Sequence, residues 1–361
     1  MKTRREKDYI SFFDEISGLY FRTGIIENGK DSGRDPFMTS FPELLDIGIM
    51  GHCVHGQKGL CLQAGVECYQ DGLHRNDANM SIEDFASIVR QCSGRTYQFA
   101  LGGCGDPDQH EDFADILKIC RKEGIVPNFT TSGMGLTEKI VDLCKEYCGA
   151  VAVSWYRSEY TKRAIRMLIE AGVKTNIHYV LSKDTIEEAI ERMATHTFPE
   201  NINAIIFLLH KPVGLGKTEN IITMKHELLP ALIHMVDSGK SGYKIGFDSC
   251  TVPALINGTC NINPASMDTC EGARWSAYIS PDMKMMPCSF DNQDMRWAVD
   301  IRKYTIEEAW NSREFEAFRT RLKMACPDCE LHDSCMGGCP VRPEIVLCDR
   351  KEHFQNDIYV T

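Results

Sequence analysis

Between residues 44 and 247, short apolar runs alternate with segments whose apolar residues recur every three or four positions. The runs that we interpret as strands lie at 45–50, 97–102, 125–130, 150–155, 173–181, 204–210 and 243–247. The intervening segments have helical periodicity, as in the face formed by Phe85, Ile88, Val89 and Cys92. Strict alternation of strand and helix predicts a parallel sheet of six or seven strands, closed or partly closed as a barrel. Ligands are then expected at the carboxyl ends of the strands.

Seventeen cysteines in 361 residues are the outlying feature of the composition. The N-terminus has a basic start but no apolar segment and no small-residue cleavage site, and no apolar run approaches the roughly 20 residues that cross a bilayer. We therefore expect a cytoplasmic protein with no membrane partner, in which thiols stay reduced and serve metals. Four of them complete apolar helical faces and are expected to be core residues: Cys92, Cys120, Cys144 and Cys148.

Charge and local composition divide the chain. A formal charge of -11 argues against a broad nucleic-acid surface. We expect an N-terminal extension at 1–43, the barrel at 44–247 and a separate cysteine-rich domain at 248–361. The last region shows only one clear helix, around 305–320, and too little periodic apolar surface for an independent core. It is expected to be held together by metal.

Three cysteines follow the first strand of the barrel in the stretch GHCVHGQKGLCLQAGVECYQDG. Cys53, Cys61 and Cys68 are one ligand short of the four that a closed zinc site or an ordinary iron–sulfur cluster needs. A three-cysteine cluster leaves one iron open to a small molecule, and the glycines allow the loop to curl around it. The alternatives are a zinc loop completed by His55, or free thiols in a flexible loop.

A second cysteine zone has the spacing C-x2-C-x5-C-x3-C-x8-C over residues 326–348, preceded by a pair at Cys270 and Cys288. This dense and ordered spacing predicts bound metal. Zinc ribbons also use C-x2-C pairs, so spacing alone leaves the metal open.

The two cysteine zones together resemble the radical S-adenosylmethionine enzymes that carry a C-terminal SPASM domain, over nearly the whole chain from about residue 44. The resemblance implies a partial (β/α)6 barrel followed by a small domain that holds auxiliary clusters. In that family a four-iron four-sulfur cluster on three cysteines chelates S-adenosylmethionine through its open iron. One electron then cleaves the cofactor to methionine and a 5′-deoxyadenosyl radical, which abstracts a substrate hydrogen.

By this resemblance Cys53, Cys61 and Cys68 fill the radical-cluster positions, and Tyr69 is the aromatic residue beside the last cysteine. The spacing here is C-x7-C-x6-C, whereas the family usually has C-x3-C-x2-C. The loop is therefore an expanded form of the family motif.

Cofactor contacts are expected at the carboxyl ends of the later strands. Gly102 and Gly103 match the family segment that receives the methionine amino group, and Asp106 is placed to substitute for the usual Glu, whose position holds Cys104. Further contacts to the cofactor are expected at Ser132, Ser154, Asn176 and Gly214. Each has a structural alternative, since glycines also serve tight turns and Cys104 also suits a buried turn.

The resemblance to SPASM covers seven cysteines and implies two auxiliary four-iron clusters, three clusters in all. One auxiliary cluster would be held by Cys326, Cys329, Cys335 and Cys348. The other would be held by Cys270, Cys288 and Cys339, with Cys250 as the preferred fourth ligand and Cys260 as the alternative.

The implied activity is oxidative modification of a peptide or protein side chain, such as crosslink formation, with flavodoxin or ferredoxin as electron donor. One alternative is radical oxidation of a small molecule such as a sugar alcohol. Another is a non-catalytic iron–sulfur binding or electron-transfer protein. Candidates for the acid or base that completes turnover are Asp106, His178 and Asp291, with Lys211 also placed by its strand.

Overall fold

The computed structural model describes residues 1–63, 65–263 and 266–349. The chain opens with short antiparallel strands that lie outside the barrel. A three-stranded sheet is followed by a two-stranded hairpin, and the strands are β1 (Lys2–Arg5), β2 (Ile10–Phe13), β3 (Tyr20–Arg22), β4 (Ile26–Glu27) and β5 (Lys30–Asp31). This region corresponds to the N-terminal extension expected from the sequence.

A buried carboxylate attaches the N-terminal sheet to the barrel. The hydroxyl of Ser11 donates to Glu43 at 2.8 Å, and the hydroxyls of Tyr9 and Tyr20 donate to the same carboxylate. Glu43 is 4% exposed and directly precedes the first barrel strand. The hydroxyl of Tyr97, which precedes the next strand, lies 3.0 Å from Ser11. The N-terminal sheet therefore covers the amino ends of the barrel strands, leaving their carboxyl ends for ligands.

Seven parallel strands form the barrel part of the main sheet, as the sequence predicts. They are β6 (Leu44–Met50), β7 (Gln98–Gly103), β8 (Val126–Thr131), β9 (Val151–Ser154), β10 (Thr175–Leu181), β11 (Ala204–Leu209) and β12 (Ile245–Phe247). Neighbours in sequence are neighbours in the sheet. Alternate residues such as Ile47 and Ile49 face the helices and are fully buried, while those between them face the interior of the partial barrel.

Helices follow the strands and cover the outer face of the sheet. Two short turns in the first loop are followed by the barrel helices: α1 (Val54–Gln57), α2 (Leu60–Gln63), α3 (Ile82–Cys92), α4 (Phe113–Lys122), α5 (Glu138–Tyr147), α6 (Glu159–Glu170), α7 (Ile186–Thr195) and α8 (Leu229–Asp237). Cys92, Cys120 and Cys144 are fully buried against the sheet and Cys148 is half-buried beside them, as expected of core thiols. Among the described residues no helix is long and apolar enough to cross a membrane.

The C-terminal region continues the barrel sheet. Its elements are α9 (Val252–Gly258), β13 (Ser276–Ile279), β14 (Lys284–Met286), β15 (Val299–Asp300), α10 (Ile306–Trp310), α11 (Arg313–Met324) and α12 (His332–Cys335). Strand β13 pairs in parallel with β6, so that ten strands form one sheet. The prediction of a single helix at 305–320 was wrong, because this stretch forms two helices, α10 and α11. The hydroxyl of Ser312 accepts the amide of Phe315 and so caps the start of the second helix.

Candidate active site

The three cysteines of the first loop converge at the carboxyl end of β6, and we call Cys53, Cys61 and Cys68 the loop thiols. Cys53 caps α1, where its sulfur accepts the amide of Gly56 at 3.1 Å. Burial raises the pKa of Cys61 to about 11, and the charges of Cys53 and Cys68 contribute to the same shift. Although the C-x7-C-x6-C spacing is longer than usual, the fold of the loop still brings the three thiols near one another.

The surroundings of the loop thiols suit thiolates bound to a cluster. Burial raises the pKa of Cys68, and hydrogen bonds from the backbone amides of Gln70, Asp71 and Gly72 to its sulfur oppose that shift by stabilising the thiolate. A Cβ on Gly72 would lie 3.2 Å from the Cβ of Cys53 and 3.6 Å from the sulfur of Cys68. Because Gly72 has no side chain, the space between Cys53 and Cys68 stays open. Over the described ranges, no three His, Cys, Asp or Glu side chains stand close enough to hold a single metal ion; a four-iron cube is larger than one ion.

A buried carboxylate lies beside the loop thiols. Both oxygens of Asp106 accept from Ser132, one from its amide at 2.7 Å and one from its hydroxyl. Burial, with the charge of nearby Asp108, raises the pKa of Asp106 to about 7. The negative charge of Asp106 in turn contributes to the raised pKa of Cys53 and of Cys61. The structure therefore brings Asp106 and Ser132, both predicted cofactor contacts, to the edge of the loop thiols.

The segment that contains Gly102 and Gly103 packs directly on the first loop. Gly103 has φ of +113°, and a Cβ there would overlap the carbonyl of Met50. The amide of Cys104 donates to the same carbonyl at 2.7 Å. Cys104 is 2% exposed, as a buried turn residue should be, yet its thiol lies near those of Cys68 and Cys53.

Gly214 contacts the cluster loop through the backbone. Its φ is +64°, and a Cβ there would lie 2.6 Å from the carbonyl oxygen of Cys68. The amide of Leu215 donates to that oxygen at 2.9 Å. The loop after β11 is thus held against the last loop thiol, the side on which the sequence places the adenine contact.

Two residues near the loop thiols were not singled out from the sequence. Glu67 accepts from the amide of Lys217 at 3.0 Å and from the side chain of Asn220 at 2.8 Å, so it ties the first loop to the loop after β11. Tyr156 follows β9 and is enclosed by protein; after burial, the charge of Asp106 contributes most to its raised pKa. Neither residue belongs to a recognisable sequence motif, because each meets its neighbours in this site only after the chain has folded.

The inner faces of β9 and β10 carry the remaining predicted contacts. His178 pairs with Ser154 across the two strands, and its Nδ1 lies 3.3 Å from the Thr130 hydroxyl. Burial lowers the pKa of His178 to about 4, so the ring is neutral at physiological pH. Asn176 lies one layer deeper, where its carbonyl oxygen accepts from Asn203 at 2.7 Å. Ser154 ends β9 and lies beside His178, whereas Asn176 is the second residue of β10 and pairs with the first residue of β11. Asn176 therefore lies toward the amino end of the barrel, away from the loop thiols.

Four cysteines of the C-terminal region form a second convergence, which we call the inner thiol group: Cys250, Cys270, Cys288 and Cys339. Cys250 hydrogen-bonds to Cys339, and its charge acts on Cys270 and on Cys288. Cys260 lies apart: it is exposed, and its amide donates to Asp237 at 3.0 Å. Of the two fourth ligands considered from the sequence, the structure brings Cys250 to the group.

A buried ion pair lies against the inner thiol group. Lys211 is 6% exposed, donates to Asp248 and to the carbonyl of Leu209, and stands 4.6 Å from the centre of the Phe290 ring. Burial opposes the charge of Lys211, but Asp248 and Cys250 outweigh it and raise its pKa. Lys211 is therefore a fixed positive charge at one wall of the barrel interior.

Four further cysteines line one cavity near the end of the described chain, and we call them the outer thiol group: Cys326, Cys329, Cys335 and Cys348. The charges of the other three act on Cys335. His332 also lines this cavity, but its ring nitrogens lie 3.0 Å from Asp333 and 3.0 Å from the carbonyl of Lys323. The cavity thus presents four thiols of the kind that a cluster requires.

Tyr69 lies between the loop thiols and the inner thiol group, and we call the space beside its ring the chamber. The side chain of Tyr69 is 41% exposed. Its ring lies 5.0 Å from that of Phe290. After burial, the charges of Asp46, Cys68 and Cys288 contribute to its raised pKa. Tyr69 therefore lies within electrostatic reach of both thiol groups.

Asp291 occupies a turn and not the chamber. It is fully buried, and its two oxygens accept the amides of Trp297 at 3.0 Å and Arg296 at 3.2 Å. Both oxygens are thus committed to holding the backbone. Of the three acid–base candidates, only Asp106 and His178 face the interior.

Residues 270–336 match the SPASM family, an iron–sulfur cluster-binding domain. The chain is also similar to solved structures along most of its length. Streptococcus suis SuiB bound to S-adenosylmethionine superposes with a TM-score of 0.63 at 18% identity, over 87% of this chain and 78% of that chain. SuiB bound to the precursor peptide SuiA superposes with a TM-score of 0.64 at 16% identity, over 87% of this chain and 76% of that chain.

A third similar structure is anSMEcpe with bound AdoMet, with a TM-score of 0.61 at 16% identity over 85% of this chain and 92% of that chain. These comparisons confirm the fold expected from the sequence. The chain has the fold of the radical S-adenosylmethionine enzymes and carries a SPASM domain at its C-terminal end.

Proposed function

We propose that this chain is a radical S-adenosylmethionine enzyme that oxidatively modifies a peptide or protein side chain. The observation that carries the proposal is the position of Tyr69, which lies within electrostatic reach of Cys68 among the loop thiols and of Cys288 in the inner thiol group. A substrate in the chamber would stand beside both a radical source and an electron acceptor. This arrangement suits a reaction that removes hydrogen and an electron from one site.

The loop thiols would hold the radical cluster, and the inner and outer thiol groups would hold one auxiliary cluster each. When bound, these clusters and S-adenosylmethionine supply one-electron chemistry that no side chain supplies. Asp106, Ser132 and the backbone at Gly102 and Gly103 would position the cofactor next to the loop thiols. The N-terminal sheet closes the opposite end of the barrel, which helps to keep water from a reactive radical.

A peptide substrate is favoured by relatives of similar fold. SuiB has been solved with a precursor peptide, and anSMEcpe has been solved with AdoMet and the Cp18Cys peptide at a TM-score of 0.59 and 16% identity. The electron for the radical cluster would come from a small donor such as flavodoxin or ferredoxin.

The radical activity is tested by anaerobic reconstitution of the full chain with iron and sulfide. We expect 5′-deoxyadenosine from wild type given S-adenosylmethionine and dithionite, and none after Cys53, Cys61 and Cys68 are all changed to Ala. Iron should fall from about twelve to about eight atoms per chain, since one of three four-iron clusters is lost. Equal product from both proteins would show that other cysteines hold the radical cluster.

The substrate class is tested with short peptides encoded beside the gene for this chain. Mass spectrometry of each peptide after turnover should show the loss of two hydrogens in one of them, with an equivalent of 5′-deoxyadenosine. Alcohol oxidation of a sugar with unchanged peptides would instead favour the small-molecule alternative. Fully loaded wild type that never cleaves S-adenosylmethionine would favour an electron-transfer protein.

A further inference from the structure

The chamber floor contains a carboxylate with no partner. Asp46 lies on β6, on the face that points into the barrel, and makes no hydrogen bond or ion pair with the described part of the chain. Its side chain is exposed to the space beside Tyr69, and desolvation by the surrounding protein raises its pKa to about 6. A carboxylate inside an apolar strand is costly unless something compensates its charge.

Two further polar groups without partners border the same space. Tyr278 pairs with Asp46 across β13 and β6, and its hydroxyl stands over Gly48, where a Cβ would lie 2.5 Å away. The hydroxyl is buried and has no hydrogen-bond partner; the whole residue is 3% exposed. The side chain of Gln70, a residue 4% exposed, lies beside the hydroxyls of Tyr69 and Tyr278, and its nitrogen has no hydrogen-bond partner within 3.5 Å.

The cations near this space act on the neighbours of Asp46 and not on Asp46 itself. Arg22 and Arg274 act on Glu271, a second carboxylate within electrostatic reach of Asp46, and Arg75 acts on Tyr278. No cation in the ranges that the structure describes contributes to the raised pKa of Asp46. The carboxylate of Asp46 and the hydroxyl of Tyr278 can therefore both accept hydrogen bonds from a cation of the substrate.

We propose that Asp46, with Tyr278 beside it, binds a positively charged group of the substrate, an ammonium or a guanidinium, at the floor of the chamber. This inference rests on the proposed function, since it specifies which side chain of a peptide enters the same chamber. Lysine and arginine carry these charges at the end of a long side chain. Strand β6 rises about 13 Å from Asp46 to its last residue, Met50, so the peptide backbone would also enter the barrel.

The test uses reconstituted full-length protein, saturated with S-adenosylmethionine, and calorimetric titration at low salt. The probes are Nα-acetyl-lysine methylamide and Nα-acetyl-arginine methylamide, compared with the uncharged Nα-acetyl-norleucine methylamide. We expect at least one cationic probe to bind about tenfold more tightly than the uncharged one. In Asp46→Asn this preference should disappear, and in Tyr278→Phe it should fall severalfold.

The control variant is Asp142→Asn, which removes an exposed carboxylate from α5 on the outside of the barrel and should keep the preference. Iron content and circular dichroism of each variant should equal those of wild type. The proposal would be overturned by any of three results. These are equal binding of charged and uncharged probes, no binding of either cation at 10 mM, and a preference for the cation that survives in Asp46→Asn.

Failure of the proposed function is seen separately, in 5′-deoxyadenosine formation by the same preparations. Selective cation binding by wild type that never cleaves S-adenosylmethionine would leave the cation site standing and remove the radical activity. Cleavage of S-adenosylmethionine without selective cation binding would support the radical activity and overturn the cation site.

Discussion

At the scale of single residues, the fold places the two candidate fourth ligands, Cys250 and Cys260, in different surroundings. Cys250 follows β12 by three residues and contacts Cys339, whereas Cys260 is held on the surface by Asp237. We expect Cys250→Ser to lose or alter the electron paramagnetic resonance signal of one auxiliary cluster. Cys260→Ser should leave both that signal and the iron content as in wild type. The opposite pattern would assign the fourth ligand to Cys260.

His178 gives a prediction about pH. Its pKa is about 4 when folded and about 6.5 when unfolded, so below pH 6.5 the unfolded chain takes up a proton that the folded chain refuses. Stability is therefore fully present above pH 6.5 and falls as the pH drops toward 4. From pH 7.5 to 5.5 wild type should lose about 1 kcal/mol more than His178→Asn. Parallel urea titrations of both proteins measure this, and equal losses would contradict it.

The sequence could predict these residues only in part. The seven SPASM cysteines and the loop thiols could be predicted as metal ligands because such ligands recur at short, ordered spacings, and that assignment stays a prediction. Asp46 was not found, although a charge inside the apolar run LLDIGI was a visible signal. Its meaning depends on Tyr278 and Gln70, which come from distant parts of the chain and meet it only in the folded sheet.

At the scale of elements, the N-terminal sheet depends on Glu43. Three hydroxyls donate to this buried carboxylate, and hydrogen bonds to a charged group are each worth about 1.5–3 kcal/mol. We expect Glu43→Leu to lower the free energy of unfolding by about 3 kcal/mol, because it leaves those hydroxyls unpaired. Glu43→Gln keeps an acceptor and should cost about 1 kcal/mol.

Chemical unfolding followed by tryptophan fluorescence measures both Glu43 variants. A loss in Glu43→Leu no larger than that in Glu43→Gln would mean that the N-terminal sheet is held mainly by its apolar contacts. Phe13, packed on Tyr97 at a ring distance of 5.3 Å, is the main such contact.

Elements of the barrel were predictable because period-two and period-3.6 patterns are local. The split of the expected helix at 305–320 was not, since both halves have helical periodicity and the break depends on two capping hydroxyls, Thr305 and Ser312. Strand β13 was missed for a related reason. Its four residues have no clear alternation, and it forms by pairing with β6 from far earlier in the chain.

At the scale of the whole molecule, the pairing of β13 with β6 joins the barrel and the SPASM region into one sheet. Strand β6 lies between β7 and β13, so removal of the C-terminal strands would expose the edge of a central barrel strand. The same strand leads directly into the loop thiols, and β13 lies between Cys270 and Cys288 of the inner thiol group. One hydrogen-bonded ladder thus connects the strand that leads into the loop thiols with the strand between two cysteines of the inner thiol group.

This connection predicts that the two regions open as one cooperative unit. Amide hydrogens at 276–279 should exchange with solvent as slowly as those at 44–50, because both strands are central in a ten-stranded sheet. Hydrogen exchange of the reconstituted protein, read by mass spectrometry of the two peptides, measures the rates. The exposed hairpin at 26–31 is the internal control and should exchange about a thousandfold faster. If 276–279 exchanged a hundredfold faster than 44–50, the SPASM region would open independently, and the chamber between the thiol groups would have a movable wall.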